Sequence, residues 1–281
     1  MRRIHTHTPH PASPPRGEET PRAASQGFPV PSGGEGQGEG AGSSVKQSLG
    51  RGTTLTTRPL IIAHRGFSGR YPENTLAAVR AALEAGVDWV EIDVQQTRDG
   101  ELIVFHDYRL NRICGVRGRV RDRTLAEIHR LNPQVPTLRR VLQTCRGRGR
   151  VLIEVKRADL RNVAAVIGET RMAGEVMVFS LSIRRMKEIA AVNPRIRRCG
   201  LVARRLSWAL ARLKSVGIEG VALSRRIVRS RRVVRRIHRR GWKLFVWTVN
   251  RKAEMKKLAD WAVDGLITDH PDVAKSCLAE R

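Results

Sequence analysis

From Arg58 onward the chain alternates short apolar, β-branched runs with segments of helical period. The runs are LIIA (60–63), WVEIDV (89–94), LIVF (102–105), VLIEV (151–155), VMVFS (176–180), CGLV (199–202), GVALS (220–224), KLFVWTV (243–249) and GLIT (265–268). Amphipathic stretches lie between most of them. In NTLAAVRAALEAG, Leu76, Val79 and Leu83 share one face and Gly86 supplies a left-handed stop. SIRRMKEIAAVN is a second such stretch. In IVRSRRVVRRIHRRG, Val234 and Ile237 face inward, arginines cover the outside and Gly241 ends the helix. Repeated strand–helix alternation predicts a parallel sheet. About 224 residues with this rhythm match an α/β fold of the (β/α)8 TIM-barrel type in size.

Nine strand candidates compete for eight places. Only QQTRDGE separates WVEIDV from LIVF, too short for the crossover that a parallel pair needs. Asp99–Gly100 is a two-residue hairpin signal, and pairing backwards from it sets Asp93 opposite His106. LIVFHD is then an antiparallel partner of the second strand, a short hairpin or insertion outside the barrel. The alternative keeps LIVFHD as a barrel strand with a degenerate connection.

Composition divides the 281 residues in two. Residues 1–57 are rich in Pro, Gly and Ser and poor in large apolar side chains, so they are expected to form a disordered low-complexity tail. Residues 58–281 form the expected barrel domain. The start has no apolar stretch of signal-peptide length, and no apolar run is long enough for a transmembrane helix. Cys114, Cys145, Cys199 and Cys277 are scattered without metal-ligand spacing, which points to reduced thiols and a cytoplasmic setting.

Polar residues at the ends of the apolar runs are few. His64 and Arg65 follow the first run, and Glu91 and Asp93 sit two apart on one face of the second. His106 and Asp107 follow the third. Glu154 and Lys156 are again two apart, and Trp247, Thr248, Asn250 and Asp269 follow the last two runs. In a barrel these positions gather at the C-terminal face, where chemistry occurs. Three carboxylates on one face repel one another without a cation, and an all-oxygen set suits Mg²⁺ or Ca²⁺, with Mn²⁺ as a third candidate. Two histidines beside such an ion suit acid and base roles. Arg65 and Lys156 suit phosphate oxygens. Together these residues point to phosphoryl chemistry on a diester. Trp247 reads equally as pocket wall or core, and Asp107, Thr248, Asn250 and Asp269 read as supporting residues.

The stretch IIAHRGFSGRYPENTLAAVRAALEAGVDWVEIDVQQTRDGELIVFHD resembles the signature region of glycerophosphodiester phosphodiesterases. VPTLRRVL, LIEVK, WTVN and DGLITDHP resemble the same family in the same order, so the likeness runs from about residue 60 to 272. It implies a TIM barrel of the phospholipase C-like phosphodiesterase type. Glu91, Asp93 and Glu154 become metal ligands and His64 and His106 the acid/base pair. Arg65 and Lys156 become phosphate contacts, Glu73 and Asn74 border the metal and phosphate region, and Trp247 lines the wall beside the glycerol or leaving alcohol. The implied reaction converts a small-molecule glycerophosphodiester into glycerol 3-phosphate and an alcohol. The glycerol 2-hydroxyl attacks phosphorus first, and water then opens the cyclic phosphate. HDYRLNRICGVRG carries bulkier and more basic residues than the family pattern, which bears on the shape of the alcohol pocket.

The net charge of +27 changes the picture of the exterior. Between Arg195 and Arg240, fifteen Arg and one Lys face a single acidic residue, Glu219. Either this is a solvated face in an Arg-rich chain, or the Arg-rich helices make peripheral contact with an anionic membrane. Aromatic residues are only 4% of the chain, which argues against stacking-based nucleic-acid recognition, and no specific nucleic acid is expected. Two competing functions share these features: a lysophospholipase D or phospholipase C-type lipid phosphodiesterase on the same barrel, and a non-enzymatic polyanion-binding protein.

Overall fold

A computed structural model describes residues 58–279, so the expectation of a disordered tail over 1–57 falls outside the described residues. The strands are β1 (Leu60–Ala63), β2 (Trp89–Gln96), β3 (Leu102–Val104), β4 (Arg150–Arg157), β5 (Val176–Ser180), β6 (Arg197–Val202), β7 (Gly220–Ser224), β8 (Lys243–Trp247) and β9 (Gly265–Thr268). Helix α1 (Leu76–Glu84) joins β1 to β2. Helices α2 (Asn111–Cys114), α3 (Leu125–Leu131) and α4 (Leu138–Cys145) lie between β3 and β4. The later strands alternate with α5 (Leu160–Glu169), α6 (Ile183–Val192), α7 (Leu206–Leu213), α8 (Arg231–His238) and α9 (Lys252–Asp260), and α10 (Pro271–Ala279) ends the domain.

Eight strands pair in parallel as a ring. β2, β4 and β5 through β9 follow in sequence, and β1 pairs with both β9 and β2 to close it. β3 stands outside the ring, antiparallel to β2, as the short QQTRDGE connection requires. Its register differs from the expectation by one residue. Val94 faces Val104, and the N–H of Phe105, not His106, donates to the carbonyl of Asp93 at 2.9 Å. The loop holds three residues, Arg98, Asp99 and Gly100, because Thr97 N–H donates to Glu101 O at 2.9 Å. Gly100, at φ +88°, takes the left-handed position of a three-residue hairpin turn.

Two apolar layers hold the ring. Inside it pack Ile62, Leu152, Met177, Phe179, Phe245 and Ile267, all buried. Between ring and helices lies the larger layer, to which α8 contributes only Val234 and Ile237 as buried residues, while its arginines face outward as expected. Each large aliphatic side chain withdrawn from water contributes about 1.5–3 kcal/mol. A third cluster (Ile103, Phe105, Leu110, Val120, Ile128 and Val135) anchors the excursion between β3 and α4. That excursion carries His106, so this small core fixes a site residue from outside the ring.

Candidate active site

Glu91 and Asp93 alternate with the core residues Val90, Ile92 and Val94 on β2, which turns both carboxylates to the same side of the strand. Asp93 and Glu154 are register partners on adjacent parallel strands. Glu91, Asp93 and Glu154 each bring one carboxylate oxygen within 4.8 Å of the others. Glu91 and Asp93 are almost wholly buried, at 2% and 1% exposure. Burial, with the charges of Asp93 and Glu154 added, pushes Glu91 well above its ordinary pKa. Burial and the charge of Asp93 push Glu154 up to about 7. Burial works against the charge of Asp93 too, but Lys156 and Arg65 outweigh it and hold that carboxyl below its ordinary value. A buried, oxygen-only set under mutual repulsion fits a hard divalent cation.

Protein cations stand at the edge of this cluster. Lys156 Nζ lies 3.1 Å from Glu154 and 3.2 Å from Asp93. The register between β2 and β4 shifts just after Val94 and Val155, which leaves Lys156 without a ladder partner, and Lys156 lines the mouth on the same side as Glu154 two residues earlier. Arg65 Nε is 3.2 Å from Asp93 Oδ2, within ion-pair range, yet it is buried and makes no aligned hydrogen bond. Arg65 has φ +55°, and its N–H donates to Glu91 at 3.0 Å. The next residue, Gly66, has φ +78°, and a Cβ there would sit 2.6 Å from the carbonyl carbon of Ala78. Asn74, also left-handed at φ +58°, donates to Asp93 Oδ2 at 3.0 Å and accepts from the Asp93 N–H at 3.2 Å.

Each histidine is gripped by a carboxylate through Nδ1. His64 Nδ1 is 2.6 Å from Asp269, which also accepts from Ser68 at 2.9 Å and Asn250 at 2.6 Å. His106 Nδ1 is 2.6 Å from Asp107. The Arg112 hydrogen bond, opposed by some burial and aided by His106, lowers the Asp107 pKa to about 2. For Asp269, burial is outweighed by His64, Asn250 and Ser68, and the pKa lies far below the usual range. Ionised carboxylates only accept, so Nδ1 carries the proton in both rings and Nε2 is left for proton transfer. Burial lowers the pKa of His106 against the raising influence of Asp93 and Asp107.

A cavity of about 240 Å³ opens over these groups. His64, Arg65, Glu91, Glu154, His106 and Lys156 line its polar side, and Phe179, Leu201, Ile267 and Trp247 line its apolar side. Trp247 is therefore both wall and core: it borders the cavity, packs on the inner layer and donates Nε1–H to Ala222 O at 3.2 Å. Every residue singled out in the sequence reaches this region or its support, with Glu73 touching it through Arg65 at 3.0 Å. Sequence reasoning missed Arg112. It donates to both oxygens of Asp107 and both oxygens of Glu73, and so joins the support of His106 to that of Arg65. The only sequence signal was its place in the unusually basic segment after His106.

Comparison with known proteins agrees with this geometry. Residues 64–273 match the glycerophosphoryl diester phosphodiesterase family. A glycerophosphodiester phosphodiesterase from Caldanaerobacter subterraneus subsp. tengcongensis is 31% identical over 239 residues, covering 76% of this chain and 96% of that protein. A glycerophosphodiester phosphodiesterase from Bacillus subtilis is 31% identical over 251 residues, covering 77% and 85%. An Oleispira antarctica phosphodiesterase, solved in complex with the product sn-glycerol-3-phosphate, superposes with a TM-score of 0.70 at 26% identity, covering 79% of this chain and 97% of that one. With an acidic cluster, two carboxylate-held histidines and a match over most of its described length, the chain belongs to the glycerophosphoryl diester phosphodiesterase family.

Proposed function

We propose that the protein hydrolyses glycerophosphodiesters to glycerol 3-phosphate and an alcohol by metal-dependent His/His acid–base catalysis. The observation that carries this reading is the placing of two carboxylate-held histidines on one cavity beside three clustered acidic oxygens. Glu91, Asp93 and Glu154 hold one divalent ion, Mg²⁺ or Ca²⁺ with Mn²⁺ as a further candidate. When bound, such an ion supplies charge stabilisation to the phosphoryl oxygens. Arg65 and Lys156 hold phosphate oxygens, and Trp247 with the apolar wall seats the glycerol. Glu73 and Asn74 support this set, Glu73 through Arg65 and Asn74 through Asp93. One histidine takes the proton of the glycerol 2-hydroxyl as its oxygen bonds to phosphorus. The other protonates the departing alcohol oxygen, and the roles reverse as water opens the cyclic phosphate. Residues 58–281 form the catalytic unit.

The test is direct. Purified protein, given glycerophosphocholine, glycerophosphoglycerol and glycerophosphoinositol with each of the three ions, should release glycerol 3-phosphate. No turnover with any combination overturns the reading.

A lysophospholipid substrate is the second reading. It is favoured by Leu181, which lines the cavity yet is 58% exposed, as an entry for an acyl chain requires. Lysophospholipids offered beside water-soluble diesters separate the two. Among the described residues no helix is long and apolar enough to cross a membrane. The outward arginines of α8 support peripheral attraction to anionic lipid, and salt-sensitive binding to anionic vesicles tests it. Four free cysteines, three of them buried, support a reducing, cytoplasmic setting.

A further inference from the structure

A second cavity, of about 290 Å³, lies beside the catalytic one. Its walls come from the β1–α1 loop and from the excursion between β3 and α4. Among the described residues, His106 alone lines both cavities. His64 lines only the catalytic cavity.

In-line displacement at phosphorus puts the attacking and leaving oxygens on opposite sides. The groups that serve them must therefore stand apart as well. We propose that the second cavity receives the leaving alcohol, and that the alcohol it takes is an uncharged polyol. This rests on the glycerophosphodiesterase reading and assigns the two proton transfers within it. His64 Nε2 accepts the proton of the glycerol 2-hydroxyl while that oxygen bonds to phosphorus. The bond from phosphorus to the alcohol oxygen breaks, and His106, which enters the step as imidazolium with a proton on Nε2 as well as on Nδ1, gives the Nε2 proton to that oxygen and is left neutral. The released alcohol lies on the far side of His106.

The lining sets the chemical class. Glu73 and Arg112 are the charged groups of its wall, and they neutralise each other through two hydrogen bonds of 2.9 and 2.6 Å. No unpaired carboxylate is therefore offered to a choline or ethanolamine cation. Asn132 and Gln134 present amides that donate to and accept from hydroxyls, while Ile113 and Val135 cover carbon.

The experiment compares kcat/KM for glycerophosphoinositol, glycerophosphocholine and the methyl ester of glycerol 3-phosphate. Wild type should favour the inositol ester over the choline ester. Ile113→Trp and Gln134→Trp fill the cavity, and each should lower the inositol-to-methyl ratio by about tenfold or more. Gln134 is solvent-exposed, so its variant retains the fold, as thermal unfolding will verify. An unchanged ratio in the folded Gln134→Trp variant overturns the subsite, and a wild-type preference for choline overturns the polyol class. Absence of turnover with all three esters in wild type is a different result, which sinks the hydrolase reading itself.

Discussion

Arg112 grips both oxygens of Asp107, Nε to Oδ2 at 2.6 Å and Nη2 to Oδ1 at 3.1 Å, and so fixes the carboxylate that orients His106. The same guanidinium holds Glu73, which in turn binds Arg65 beside Asp93. Arg112→Met should lower kcat by about 10–100-fold, as loss of a group that orients a site residue commonly does. Asp107→Asn should do likewise. The double variant should be little worse than either single one, because both act through one ring. Additive losses would show that Arg112 works elsewhere.

His64→Ala and His106→Ala should each cut turnover by about 10²–10⁴-fold while the circular dichroism of the barrel is retained. Full activity in either variant removes that histidine from the proton transfers.

The metal site should be strongly pH-dependent. Glu154, raised to about 7 without a cation, must lose its proton when one binds. Calorimetric affinity for Mg²⁺ or Ca²⁺ should rise with pH through about 7, by as much as about tenfold per pH unit for each proton displaced. Without metal the sign is opposite. A carboxyl raised on folding stabilises fully below its ordinary 4.5 and loses that contribution as pH climbs to about 7. The unfolding temperature of the metal-free protein should therefore fall across that window. A flat profile in both measurements contradicts the repulsion within the cluster.

Glu91→Gln removes one of the mutually repelling buried charges. In the absence of metal the variant should unfold at a higher temperature than wild type. Added metal should stabilise wild type by about 2.7 kcal/mol at a hundred times its dissociation constant, and the variant far less. Equal stabilisation of both proteins would take Glu91 out of the ligand set.

Gly66→Ala should destabilise the fold through backbone alone. Its φ of +78° costs a side chain about 1–3 kcal/mol, and the added Cβ would press within 2.6 Å of the first turn of α1. Denaturant unfolding reads this out, and an unchanged midpoint would contradict it.

Much of this was legible in the residues because barrel strands carry their chemistry at fixed parity. Glu91 with Asp93, and Glu154 with Lys156, are two-residue spacings that local geometry turns to one side. The strand–helix rhythm gave the ring, and the short 95–101 connection excluded β3 from it. Other features depend on closure in three dimensions. The hairpin register turned on whether Gly100 ends a two- or three-residue loop, and one residue decides which neighbour faces Asp93. Glu73 and Asn74 carry no spacing signal and were marked only by resemblance to a family. Arg112 was hidden because its two carboxylate partners, Glu73 and Asp107, meet only when the β1–α1 loop and the excursion after β3 fold against each other. Trp247 defied assignment as wall or core since at the mouth of a barrel one indole serves as both.

The position of β3 has an architectural consequence. The eight-stranded ring closes its hydrogen bonding through β1 and β2 without it, although Leu102 and Val104 of β3 pack in the main core. The segment over residues 97–137 delivers His106, Asp107 and Arg112 and much of the second cavity's wall. A proton donor and one wall of the compartment behind it thus travel together on one cassette outside the ring. Exchanging the cassette between relatives should transplant alcohol preference as a unit and leave the phosphate end of the site in place.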